Sequence, residues 1–263
     1  MITQLYELAC FFFIYAFLGW CAEVVFHALT FGKFINRGFL NGPICPIYGI
    51  GVVLVLLLLD PFQKYGLVLF LASVLLTSLL EFLTGLALEK IFHATWWDYS
   101  DQPFHFGRYV CLKFSLMWGF GCVFIVRIFQ PFIIFLIGLM PQIVGVILLS
   151  ILTLGFAVDL CATILSVRAI SKRLDVLQEL ATEIHALSDH IGEKLSDSAL
   201  NAAERNRQTM ERLEAKRAEF ETKLSENPIS HRRILKAFPG MKSKRHQNAL
   251  EELKKVLHPG KKD

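Results

Sequence analysis

Three acidic residues, Glu23, Glu81 and Asp159, stand inside stretches that are otherwise apolar. A carboxylate at the centre of a membrane helix costs roughly 2.5–3.5 kcal/mol on insertion scales, so each calls for a partner or a task. Counting about 1.5 Å of rise per residue along the helices that must carry them, all three reach one level. Arg37, Arg108 and Lys113 can approach that level from the side of the basic loops. Two readings follow: a polar cavity for a cation, a proton or a charged substrate, or buried ion pairs that fix helix packing. Glu23 and His27 share a helix face at i, i+4 and could pair with each other. One His and one Glu do not make a metal site, and none is expected.

The segment just beneath this level is Asn36 to Gly49, NRGFLNGPICPIYG. Gly38, Gly42, Pro43, Pro46 and Gly49 stop any helix from running through it. Phe39, Leu40, Ile44, Ile47 and Tyr48 make it too apolar for a solvated loop. Beside a membrane span, such a backbone must be satisfied by protein or water. The expectation is a packed re-entrant or interfacial loop that arranges the neighbouring spans, with Asn36 and Arg37 at its polar entry.

A second loop, from His93 to Lys113, reads HATWWDYSDQPFHFGRYVCLK. Trp96, Trp97 and Tyr99 suit a membrane-interface belt. Asp98, Asp101, His93 and His105 form an acid and imidazole set able to meet a metal or a headgroup, although their spacing fits no metal pattern. Neither G-x-x-x-x-G-K-[ST] nor G-x-S-x-G nor H-E-x-x-H occurs, so no ATP-hydrolysing or hydrolase motif lies in this chain and no cofactor is expected.

The elements that must position these residues are membrane helices. With 54% hydrophobic residues gathered in blocks and a mean hydropathy of +0.48, the 263-residue chain reads as an all-α polytopic membrane protein. Five spans are expected, at about 5–29, 46–59, 65–91, 112–130 and 141–167. Pro131 to Met140, short and bounded by prolines, reads as an interfacial half-turn. Arg127 is expected to snorkel to the outer interface. The six cysteines lie in the membrane portion with no C-x-x-C pair, so neither a zinc site nor a disulfide framework is expected. The N-terminus lacks a basic n-region and reads as a retained span.

Basic residues flank the spans asymmetrically. Lys33 and Arg37, then Lys90, Arg108 and Lys113, then Arg168, Lys172 and Arg173 fall on one side of a five-span chain. By the positive-inside rule the N-terminus is outside and the tail cytoplasmic. Up to Val167 there are 7 Lys/Arg and 8 Asp/Glu, and beyond it 20 and 15, so the tail holds most of the charge. Over residues 168–227 apolar positions recur at steps of three and four from Leu177, with a break near Ser196 to Asn201. An amphipathic hairpin or a homo-oligomeric coiled coil both fit. Residues 228–263 form a basic module with a turn at Pro239-Gly240 and a helix opened by Ser243. Anionic lipid is a nearer partner for it than nucleic acid.

FLGWCAEV (Phe17 to Val24), KFINRGFLNGPICPIYG (Lys33 to Gly49), LLEFLTGLALEKIF (Leu79 to Phe92), WWDYS (Trp96 to Ser100) and FSLMWG (Phe114 to Gly119) resemble the bacterial CmpB-like family of ABC-transporter type IV permeases. RRILKAFPGMKSKRHQNALEELK (Arg232 to Lys254) is similar to tails found on many members. The resemblance covers the membrane portion and implies a permease of the bacterial inner membrane. Asn36, Arg37, Gly38, Gly42, Pro43, Glu23, Glu81, Trp97 and Asp98 fall on its motif positions, none with a role that transfers. A permease without a P-loop needs a separate ATPase subunit. The reading is therefore a transport-type protein, not an enzyme, whose site is built from Glu23, Glu81, Asp159, Asn36, Arg37 and Asp98. Gly38, Gly42, Pro43, Pro46 and Trp97 shape its loops. The alternative is a membrane scaffold or sensor acting through its coiled-coil tail. An intramembrane enzyme acting on lipid has the fewest supports.

Overall fold

The computed structural model describes residues 2–32, 36, 38–197, 203–225, 229–238, 240–243 and 246–257. Helices dominate them: α1 (Ile2–Phe31), α2 (Pro46–Leu58), α3 (Gly66–Phe92), α4 (Leu112–Phe124), α5 (Gln130–Leu139), α6 (Gln142–Asp197), α7 (Ala203–Ser225), α8 (Ile229–Ala237) and α9 (Gln247–Leu257). Among the described residues, four runs are long and apolar enough to cross a membrane: Thr3–Thr30, Gly66–Phe92, Leu112–Leu139 and Gln142–Ile184. The all-α class expected from composition is the one observed.

Two expectations about the spans change. Pro131 to Met140 is no interfacial half-turn, because α5 continues α4 through the π-helical turn Ile125–Phe129. Proline normally clashes with the preceding turn and removes a helix donor. The wide π turn just before it accommodates both effects. The second span is also incomplete as a helix. Thirteen residues of α2 rise about 20 Å, short of a hydrocarbon core of about 30 Å.

The packing explains the short helix. Cys45, just before α2, donates its N–H to the Ala16 carbonyl at 3.0 Å, and Ala16 lies roughly 21 Å along α1 from Ile2. Thus α2 begins beside the middle of α1, and Asn36, bonded to Trp20, ties the loop before it to the same helix. Close approach depends on Gly49, where a Cβ would meet the Phe12 carbonyl oxygen at 2.5 Å and its ring at 2.7 Å. Val55, Leu59, Leu69, Cys122 and Val126 then join α2, α3 and α4 in one core, and Phe11, Tyr15, Val52 and Ile133 join α1, α2 and α5 in another. Tyr15 donates to Gln130 at 2.7 Å inside the second core. Arg127 Nη2 donates to the Gln63 and Lys64 carbonyls at 3.0 and 3.3 Å, pinning the α2–α3 connection.

The chain divides into two compact units. One comprises residues 1–91, 95–165 and 236–241, the other 92–94, 166–235 and 242–263. In the second, α7 runs back along the distal part of α6, because Lys216 pairs with Glu183 at 2.7 Å and Arg173 donates to the Lys223 carbonyl. These contacts form a helical hairpin within the chain. Leu174, Leu177, Leu180, Leu213, Ile234, Leu250 and Leu253 form its buried interior. Ser243 accepts from His246 N–H at 3.1 Å while its own N–H meets Gln247 Oε1 at 2.9 Å, a reciprocal cap at the start of α9.

Because the atom facing Gly49 is backbone, Gly49→Ala should lower stability by about 1–3 kcal/mol, as overpacking does. Gly155→Ala, where a Cβ meets open space, should leave thermal unfolding in detergent unchanged. Equal melting of the two variants would refute the close α1–α2 approach.

Candidate functional site

The first loop is built around two side chains. Asn36 Oδ1 accepts from Trp20 Nε1 at 2.8 Å and from Gly38 N–H at 3.0 Å, while its Nδ2 donates to the Asn41 carbonyl at 2.8 Å. Asp159, reaching in from α6, takes the backbone N–H of Asn41 on Oδ1 at 3.0 Å and that of Gly42 on Oδ2 at 2.7 Å. The Asn41 side chain adds a 2.7 Å bond to the same carboxylate and a 3.2 Å bond to Thr163. Ile44 N–H returns to the Gly42 carbonyl and Cys45 N–H reaches α1. Pro43 and Pro46 have no N–H to satisfy. The loop therefore meets the requirement for irregular backbone at membrane depth, namely that protein groups replace water. Arg37 lies outside the described residues.

The second loop closes over α3. His105–Phe106 pairs antiparallel with Val110–Cys111, and Tyr99 N–H donates to the Arg108 carbonyl. This fold turns the loop's polar aromatics onto one face of α3. Tyr99 donates to Glu81 Oε1 at 3.1 Å, Tyr109 to Glu89 Oε2 at 2.5 Å, and Trp97 Nε1 to the Tyr109 carbonyl at 2.9 Å. Gly85, one turn from each glutamate, leaves the room: a Cβ there would meet the Tyr109 ring at 2.7 Å and Trp97 at 3.2 Å. Burial, with the Glu89 bond next, pushes the Tyr109 hydroxyl up to about 12. The Tyr99 hydroxyl is driven well above the ordinary phenol range by burial first and Glu81 second. Both remain proton donors at neutral pH.

Trp96, Trp97 and Tyr99 do not form an outward belt. Trp96 is buried edge-on between Phe39, at 5.3 Å, and Phe238, at 4.7 Å. Sequence could not separate the two roles, because a buried aromatic with a bonded polar tip and an interfacial one have the same composition. Asp98 folds back onto Ser100, accepting from its N–H and its hydroxyl, and His105 Nδ1 meets the Gln102 carbonyl. Among the described residues no three acids, histidines or cysteines gather as a metal site.

The third acid, Glu23, accepts from Tyr48 at 2.5 Å. Tyr48 lies edge-on to Trp118, and Tyr99 is stacked on Phe114. Tyr99 feels the charge of both Glu81 and Glu23. The structure thus pairs Glu23 with Tyr48 and Glu81 with Tyr99, and bonds Asp159 to the first loop. Tyr48 and Tyr99 were not singled out as partners of these acids from sequence; the residue type alone gives no sign of which carboxylate a tyrosine meets. Glu81 is 9% exposed, and its Oε2 has no hydrogen-bond partner among the described residues. Nor does any described Lys or Arg pair with Glu23, Glu81 or Asp159. Lys113 lies instead over the Phe114 ring, 5.8 Å from its centre.

Residues 10–164 match the model of the family described as "Putative ABC-transporter type IV". The chain belongs to this CmpB family. Both loops and all of the acidic residues placed above fall inside the matched stretch. Searches of curated proteins and of solved structures returned no match.

Asp159→Asn should free the first loop, since an amide accepts the two backbone bonds less well and presents a donor to one of them. The expected loss is about 1–3 kcal/mol. In a Cys161→Ser background, which removes the exposed thiol, maleimide labelling of buried Cys45 should rise several-fold. Unchanged labelling would show that Asp159 does not hold the loop.

Proposed function

We propose that this chain is the membrane-embedded part of a transport system, and that Glu23 and Glu81 form its site for a proton or a small cation. The observation that carries this is the Glu81 carboxylate: one oxygen is engaged by Tyr99 and the other is buried with no hydrogen-bond partner among the described residues. Buried carboxylates are normally neutralised by a basic residue, a bound proton or a cation. With no described Lys or Arg paired to it, a proton or a cation is the favoured counterpart. Phenol hydroxyls that stay protonated suit the task, because they stabilise a carboxylate without neutralising it. Family membership is consistent with a separate ATPase supplying energy. The basic loop residues favour the tail side of the bacterial inner membrane as cytoplasmic, and with it the mouth of the site.

A second reading has one observation in its favour, the tail unit with its own buried interior. In that case the membrane part anchors a scaffold or sensor. An unrelated membrane anchor joined to residues 168–263 would then retain the biological effect.

For the first reading, titration of protons and of alkali cations into the purified protein should change tryptophan emission, since Trp118 lies against Tyr48. Glu81→Gln should remove the response while melting temperature and membrane level stay near those of the parent. A response that persists in Glu81→Gln would overturn the assignment, and loss of folded protein would return Glu81 to a packing role. Mild-detergent purification should bring down a P-loop ATPase in near-stoichiometric amount if the ABC type of energy supply holds.

A further inference from the structure

The second loop turns its tryptophans inward, yet it places two phenylalanines outward. Phe104 is 82% exposed and Phe106 is 71% exposed, at the end of the hairpin closed by Gly107. Phe104 also adopts φ +54°, a left-handed conformation that a bulky residue takes only under strain. The strand pairing holds it there, along with the bond from Leu112 N–H to the Phe104 carbonyl at 3.1 Å. Strain that the surroundings enforce is commonly found where a side chain has been aimed for use.

What lies beside the hairpin identifies its partner. Phe106 leans on Phe82 of α3, with ring centres 5.8 Å apart. Leu112, Leu116 and Phe120 continue the exposed apolar surface down α4, on a run long and apolar enough to cross a membrane. The two phenylalanines therefore extend a lipid-facing surface past the helix end, and Arg108 and Lys113 stand next to them in the chain. Apolar rings flanked by basic side chains suit the boundary between acyl chains and headgroups.

We propose that the Phe104–Phe106 hairpin is an interfacial anchor, seated in the headgroup–acyl boundary of the bilayer beside α3 and α4. The anchor holds the loop that carries Tyr99 and Tyr109. Its partner is the lipid surface rather than a second protein, because the patch is continuous with the exposed faces of the helices.

The full chain with Phe106→Trp, reconstituted in phosphatidylcholine vesicles, provides the test. The added tryptophan emission, taken as the difference from the parent, should fall by half or more when the lipids are brominated near the headgroup end of their chains. It should fall less with bromine near the chain ends, and aqueous iodide should have little effect. Quenching by iodide with none by brominated lipid would place the hairpin in water and overturn the proposal. Resistance to both quenchers would mean that protein covers it, and would overturn it equally. Phe104→Trp repeats the measurement at the second position if the first variant does not fold.

Discussion

Asp159 binds a piece of backbone that belongs to no helix or strand. Its two oxygens take the N–H groups of Asn41 and Gly42 together with the Asn41 amide, much as a helix terminus would bind an anion. Without it, the segment between α1 and α2 would present polar backbone to a medium that cannot solvate it. The position of α2 depends on that segment, and through α2 so do the core it shares with α3 and α4 and the one it shares with α1 and α5. A carboxylate grouped with Glu23 and Glu81 on sequence is thus bonded to the first loop, while each glutamate meets a tyrosine.

Within that frame the two loops act alike. Each brings tyrosine hydroxyls to glutamates on spanning helices, Tyr48 to Glu23 and Tyr99 and Tyr109 to Glu81 and Glu89. The result is a polar layer in which hydrogen-bond donors are abundant. Ion pairs from the described basic residues to Glu23, Glu81 and Asp159 are absent. Tyrosine hydroxyls, rather than described arginines or lysines, meet Glu23 and Glu81.

Much of this could be read from the chain. Apolar blocks located where the long helices begin, but not where the fourth and the last end, at Leu139 and well beyond Val167. The Gly and Pro content of Asn36 to Gly49 announced a non-helical loop, which stops at Cys45 because Pro46 opens α2. Buried acids identified themselves by the cost of their surroundings. What stayed hidden was partnership. Asp159 bonds to backbone amides, which have no side-chain signature. Tyr99 and Trp96 resemble an interface belt until the hairpin turns them inward. The continuation of α4 past Pro131 rests on a π turn, which hydrophobic periodicity does not reveal. Phe104 and Phe106, by contrast, looked like ordinary loop residues.

The bond between Asp159 and the first loop spans 118 positions of sequence, and this sets an order of events during synthesis. When the ribosome has made α1 and α2, the acceptor that the loop's amides need has not yet been translated. A hydrophobic segment as short as α2 gives the insertion machinery little reason to release it into lipid on its own. The loop's amides therefore gain this acceptor only when α6 has been made. Biogenesis of this protein would accordingly be more sensitive to changes in its last span than to changes in its second.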